Sequence, residues 1–110
     1  MKIDHHTTRT ALVIVVPEGE GRLFDDDIDE CIERILELKG RSVETVALNM
    51  AAKSFLNSTG LSDLVKVKDA LLDRDVRMCL MHISPRVRSI IDMVGVDSFF
   101  NIVENEDGIV

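Results

Sequence analysis

Two adjacent hydroxyls, Ser58 and Thr59, stand between an asparagine and a glycine in the stretch Asn57-Ser58-Thr59-Gly60, where an apolar segment gives way to a helical pattern beginning at Leu61. Residues of this kind at a helix start have two uses. The first amides of a helix lack an intrahelical acceptor, so Asn57 or Ser58 can cap them, and Gly60 lets the backbone turn tightly. The same free amides, with the helix dipole behind them, favour a dianion, so a phosphate esterified to Ser58 would be stabilised there. Such an ester adds about −1.5 to −2 charges at pH 7. On a flat protein-binding face that charge acts as a desolvation and repulsion penalty. A penalty of roughly 3 kcal/mol shifts affinity more than 100-fold, since about 1.4 kcal/mol is tenfold, and no backbone rearrangement is needed.

The other chemistry-bearing residues form weaker sets. His5 and His6 are adjacent in a strand-like segment, so they point to opposite faces and make no two-ligand metal site. His82, at the end of another strand, is the histidine best placed to approach Ser58 as the base of a small hydrolase. No G-x-S-x-G context or evident oxyanion arrangement accompanies it, and an enzyme is not expected. No glycine loop for phosphates is present, so neither nucleotide nor other cofactor is expected. Cys31 and Cys79 have no metal-ligand spacing and fall at apolar positions, as core thiols in a reducing cytoplasm would. Met50, Met78, Met81 and Met93 fit core positions, and the lack of Trp and Tyr speaks against a stacking site for sugars or bases.

The elements that must position the hydroxyls follow from periodicity. Ile3 to Thr8 reads as a polar edge strand and Ala11 to Val16 as a central strand buried on both faces, paired through a turn near Arg9. Pro17 to Gly21 breaks the pattern. Asp25-Asp26-Asp27 opens a first helix, whose Ile28, Cys31, Ile32 and Ile35 recur at i, i+3, i+4 and i+7, and Gly40 closes it. Val43 to Met50 is a strand with Val46, Leu48 and Met50 on one side. A second helix runs from about Ser58 to Asp73, with Leu61, Leu64, Val65, Leu71 and Leu72 as its buried stripe and Asp63, Lys66, Asp69 and Arg74 outside it. Val76 to Ile83 is a strand, and Ser84-Pro85 starts a third helix by cap and N1 proline. In that helix Val87, Ile90, Ile91 and Val94 form the stripe and Gly95 ends it. Ser98 to Val103 is a short last strand, followed by an acidic tail, Glu104 to Val110, expected to fray.

The order β-β-α-β-α-β-α-β implies an α/β fold with a mixed, mostly parallel sheet and right-handed crossovers. In open α/β sheets ligands and partners bind at the edge where strands lead into helices. Three junctions meet that description: Gly19 to Asp27, Ser54 to Gly60, and His82 to Arg86. They should lie side by side and form one face. The acidic run Asp25 to Glu30 then serves as a helix cap or as a contact for basic residues of a partner.

With 110 residues, 45% hydrophobic and 30% charged, the chain suits one domain with one core, residues 1–110. Its formal net charge of −7 repels nucleic acid and anionic lipid, keeps a small protein soluble, and draws in a basic protein partner. No apolar run approaches the about 18 residues of a membrane span, and the start MKIDHH lacks the apolar core of a secretory signal.

Three stretches carry a resemblance: Val46-Ala-Leu-Asn-Met, then Ser54-Phe-Leu-Asn-Ser-Thr-Gly-Leu-Ser, then Ile83-Ser-Pro-Arg-Val-Arg-Ser-Ile-Ile-Asp-Met-Val-Gly-Val. The chain resembles the STAS-domain anti-sigma factor antagonists, whose pattern is an apolar strand, a loop ending D-S-[ST]-G-L, and an I-S-P-x-V helix followed by glycine. The resemblance covers nearly the whole chain. It implies a regulatory binding protein, to which the residues above add a cytoplasmic setting and no cofactor or metal. Its unphosphorylated form binds a GHKL-type anti-sigma factor kinase and so frees a sigma factor. The kinase phosphorylates the antagonist with ATP, and a PPM-type phosphatase reverses the step. By position the phosphoacceptor is Ser58, with Thr59 as second hydroxyl. Asn57, Thr59, Gly60, Ser62, Arg22, Asp25, Ser84 and Arg86 make up the partner face. Asn57 departs from the family's usual aspartate: it keeps the shape and the cap but not the charge, which eases phosphate addition electrostatically and removes a contact for kinase or phosphatase. Antagonists commonly end in a further helix, and no helical pattern follows Val103. The alternative within the fold is an unphosphorylated STAS scaffold or regulatory subunit of a transporter or signalling assembly.

Overall fold

A computed structural model describes residues 3–93 and 100–103. Five strands form the main sheet in the order β1 (His5–Thr7), β2 (Ala11–Val15), β4 (Thr45–Asn49), β6 (Arg77–Met81) and β7 (Asn101–Val103). β1 runs antiparallel to β2 and every other pairing is parallel. The hairpin is closed by the Thr8 N–H donating to the Ala11 carbonyl at 2.8 Å, and β1 is an exposed edge. The register lines up Val13, Ala47 and Cys79 across β2, β4 and β6.

That register sorts the apolar residues by face, because successive strand side chains alternate. Leu12, Ile14, Val46, Leu48, Met78 and Leu80 point into the larger core; Val13, Ala47, Cys79 and Met81 form a smaller one on the opposite face. The helices α1 (Ile28–Lys39), α2 (Ser58–Leu72) and α3 (Pro85–Met93) all contribute to the larger core.

Between these elements lies a second, two-stranded parallel sheet, β3 (Gly19–Gly21) with β5 (Lys53–Leu56). The five-stranded sheet and the three helices follow the expected order β-β-α-β-α-β-α-β, and β3 and β5 add to it in stretches read as junction loops, so the full sequence of described elements is β-β-β-α-β-β-α-β-α-β. The α2 stripe is also rotated. Gly60, Asp63, Leu64, Val67 and Leu71 are its buried residues, whereas Leu72 is 56% exposed. Asp63, expected on the outer face, is buried. Met93, expected in the core, ends α3 at 83% exposure. The expectations for Val94, Gly95, Ser98 and the acidic tail lie outside the described residues.

Candidate functional site

The site is built around the entrance to α2. Asn57 takes an extended conformation, and its Oδ1 accepts the Gly60 N–H at 2.9 Å. It is the N-cap, which leaves Ser58 as the first helical residue rather than a cap. Ser58, Thr59 and Ser62 are exposed. The first turn of α2 contains no acidic residue, so the positive end of its dipole has no carboxylate near it in sequence.

Gly60 is buried for a reason other than conformational freedom. A Cβ there would run into the Gly21 carbonyl oxygen and come within 2.8 Å of a Leu56 methyl. The glycine therefore lets β3 lie directly on the first turn of α2. The Asn57 N–H donates to that same Gly21 carbonyl at 3.0 Å, and the Ser54 hydroxyl donates to the Gly19 carbonyl at 3.3 Å. Gly21 itself has φ of +99°, and a Cβ on it would come within 3.0 Å of the Asn57 side chain. Two glycines thus permit one close backbone approach.

The loop after β3 carries Arg22 and Asp25, both exposed. The Arg22 guanidinium donates to the Asp26 carbonyl at 3.3 Å. Two buried residues that sequence reasoning did not single out hold this loop. Lys53 is 2% exposed, and its Nζ donates to the Arg22 carbonyl at 2.9 Å. Asp63 is 3% exposed, and its Oδ2 accepts the Leu23 N–H at 3.3 Å. Burial lowers the Lys53 pKa, and Asp25 opposes that shift. For Asp63 the available signal was spacing: Gly60, Asp63, Leu64, Val67 and Leu71 form a helical stripe once small and acidic residues are admitted to it. For Lys53 there was none, because β5 is too short to show alternation.

On the other side of β5, the Arg86 guanidinium stacks over the Phe55 ring at 4.6 Å from its centroid. The Ser84 Oγ accepts the Val87 N–H at 3.2 Å and so caps α3. The three junctions are therefore linked through β5: the Gly19–Asp27 segment by backbone hydrogen bonds, the α3 start by Arg86 and Phe55. Ser84 contributes its hydroxyl to its own helix. Among the described residues no hydrogen bond joins Ser58 to His82, which lines a separate cavity of about 240 Å³ with Ile83, Arg88, Ile102 and Val103. The His5 and His6 partners, Ile14 and Val13, lie on opposite faces of β2, so the two rings diverge.

A mixed sheet whose three described helices share one core, and an exposed serine opening the helix beside a glycine-packed β-annex, fit an α/β domain of the STAS type. The chain belongs to the STAS domain family, whose model matches residues 6–109. Among solved structures it is similar to the anti-sigma factor antagonist SpoIIAA in its unphosphorylated form, at 23% identity and a TM-score of 0.71, over 98% of this chain and 93% of that one. The Bacillus cell fate determinant SpoIIAA in its phosphorylated form is similar at 22% identity and a TM-score of 0.65, over 98% and 96%. A sulfate transporter family protein from Wolinella succinogenes matches at 17% identity and a TM-score of 0.63, over 84% and 79%. At these identities the likeness is one of fold. No curated protein sequence matches the chain.

Proposed function

We propose that this chain is a phosphorylation-switched antagonist of an anti-sigma factor. In the unphosphorylated state it docks on a GHKL-type kinase through Ser58, Asn57, Thr59 and Ser62, flanked by Arg22 and Asp25 on one side and by Ser84 and Arg86 on the other, and so frees a sigma factor; Gly60, expected on that face, is buried beneath β3 and shapes the turn instead. The kinase supplies ATP. Ser58 Oγ attacks the γ-phosphorus and gives its proton to a base on the kinase, the bond from phosphorus to the β–γ bridging oxygen breaks, and ADP departs with that oxygen. A PPM-type phosphatase returns the serine. The protein works in the cytoplasm as a regulator and not as an enzyme. Among the described residues no helix is long and apolar enough to cross a membrane.

The observation that carries this reading is the exposed Ser58 at the first position of a helix whose opening turn holds no carboxylate. A phosphate there meets free amides and an uncompensated dipole, so the modified chain keeps its fold while its docking face changes sign. The similarity to a protein solved in both unphosphorylated and phosphorylated forms supports the same view. The test is incubation with GHKL kinases and ATP, then mass mapping of phosphopeptides. A single phosphate on Ser58, and a more than 100-fold weaker complex for Ser58→Asp, are expected. Equal affinity of wild type and Ser58→Asp for the kinase rejects the switch. The sulfate transporter relative favours a second reading, a regulatory subunit that needs no phosphate. Recovery of membrane transport subunits instead of a kinase in a pull-down would select it.

A further inference from the structure

Lys53 and Asp63 flank the switch segment in sequence and hold consecutive residues of one loop in space: the Lys53 Nζ donates to the Arg22 carbonyl, and Asp63 accepts the Leu23 N–H. One comes from β5 and the other from α2, and both are almost wholly buried. Burying ionisable side chains is unfavourable unless specific hydrogen bonds compensate, and replacing them with apolar residues of similar volume is often neutral or stabilising. Stability alone therefore gives little reason for the two groups. Leu23 and Phe24 are buried in the core, so apolar packing already keeps the loop on the protein. The polar anchors decide which backbone atoms face the start of α2.

We propose that Lys53 and Asp63 are positioning residues that lock the Arg22–Asp25 loop in register with the first turn of α2, so that the loop and the Ser58 segment present one preformed docking surface. The proposal rests on the reading of the Ser58 junction as the partner face. Arg22 and Asp25 are exposed on a loop whose backbone is held from beneath. A partner then meets them already ordered, and the entropy of arranging the loop is not lost on binding. The lowered pKa of Lys53 fits a side chain held in place against the cost of desolvation.

The test uses near-isosteric variants, Lys53→Met and Asp63→Asn, with exposed Lys66→Met, on the helix that carries Asp63, as control. Three quantities are measured: melting temperature, amide hydrogen exchange of Arg22 to Phe24 in the free protein, and affinity for the GHKL kinase. Both variants are expected to melt within a few degrees of wild type. The Leu23 amide should exchange at least about tenfold faster, and affinity should fall about tenfold, equivalent to about 1.4 kcal/mol. The Lys66 variant should change none of these. Exchange that stays at the wild-type rate overturns the clamp. Affinity that stays unchanged while the loop loosens overturns its role in docking. Faster exchange throughout the chain, with a matching drop in melting temperature, assigns the pair to stability alone and overturns the proposal. Should either variant fail to fold, the surface pair Arg22→Ala with Asp25→Ala leaves the clamp intact, and unchanged affinity in that protein overturns the loop's place on the face. If wild type binds no such kinase, the switch reading falls, and the Leu23 exchange decides the clamp by itself.

Discussion

The entrances to α1 and α2 are alike in geometry and opposite in charge. At α1 the Asp27 carboxylate caps the helix, accepting the Asp29 N–H at 2.9 Å and the Glu30 N–H at 3.3 Å, and both of those residues are acidic. At α2 a neutral amide caps, and Ser58, Thr59 and Gly60 follow with no carboxylate in the turn. The positive end of α1 is already offset; that of α2 is not. The two entrances are also held differently. The third residue of α1, Glu30, faces water, whereas the third residue of α2, Gly60, lies against the β3 backbone. One entrance is thus closed to further negative charge and free in space, and the other is open to charge and packed.

The largest effect tests the packing half of that contrast. Gly60→Ala places a methyl against the Gly21 carbonyl, where backbone rather than a flexible side chain must give way. A loss of about 2–3 kcal/mol is expected, at the upper end of ordinary overpacking. Glu30→Ala, at the matching position of α1, should stay within about 0.5 kcal/mol. Urea unfolding midpoints measure both. Equal costs would mean that β3 does not rest on α2.

The acidic entrance should leave a mark in alkali. Cys31, one turn into α1 and buried, has its pKa raised from 9.0 to about 11, first by burial and then by Asp26, Asp27 and Asp63, with Arg22 opposing. Between those values the folded chain binds a proton that the unfolded chain has released, so stability is full below about pH 9 and falls as pH rises towards 11. The loss is about 2 kcal/mol over that window. Lys53 works in the opposite sense: its lowered pKa means the unfolded chain holds the extra proton, and stability gains as pH climbs towards 10.5. The difference between wild type and Cys31→Val therefore isolates the thiol. Unfolding midpoints of the valine variant should decline less steeply from pH 9 to 11, and parallel profiles would contradict the shift.

What the sequence disclosed and what it hid divide along the same line. The i, i+3, i+4, i+7 stripe of α1 and the apolar strands β2, β4 and β6 were legible because repeated burial writes a period. The openings at Asp27, Asn57 and Ser84 were legible because caps need particular side chains. The β3–β5 sheet was not: three- and four-residue strands containing glycine, lysine and serine show no alternation. The α2 stripe was read in part: Leu64 and Leu71 are buried and Leu61 and Val65 pack against the core, but counting apolar residues alone left out Gly60 and Asp63 and admitted the exposed Leu72. Asp63 was placed on the outer face and Lys53 escaped notice for the same reason, since their side chains argue for solvent. The hydroxyls of the site could be read from local rules, but the buried residues beneath them depend on contacts between distant segments.

The caps give the next smaller difference. Asp27→Ala and Asn57→Ala each remove an acceptor from a helix start and should each cost about 1 kcal/mol. Part of the Asp27 contribution is charge acting on a dipole, which salt screens; the Asn57 contribution is a neutral hydrogen bond. Raising ionic strength towards 1 M should therefore shrink the first cost and leave the second. An Asn57→Ala cost that shrinks equally would show that α2 is not opened by a neutral cap.

The smallest effect separates fold from docking. Ser58→Asp puts a carboxylate into an entrance that lacks one, so the isolated domain should gain about 0.3–1 kcal/mol at low ionic strength. Asp29→Asn, in the saturated entrance, should lose a similar or smaller amount. The Ser58 gain should fade near 1 M salt, where the Debye length is about 3 Å. A stabilised domain that nevertheless binds its kinase more weakly would have its weakened docking assigned to the face itself, because the scaffold has become firmer. If Ser58→Asp instead lowers the unfolding midpoint, the entrance to α2 does not accept negative charge, and a phosphate at Ser58 would act by disturbing the helix rather than by marking it.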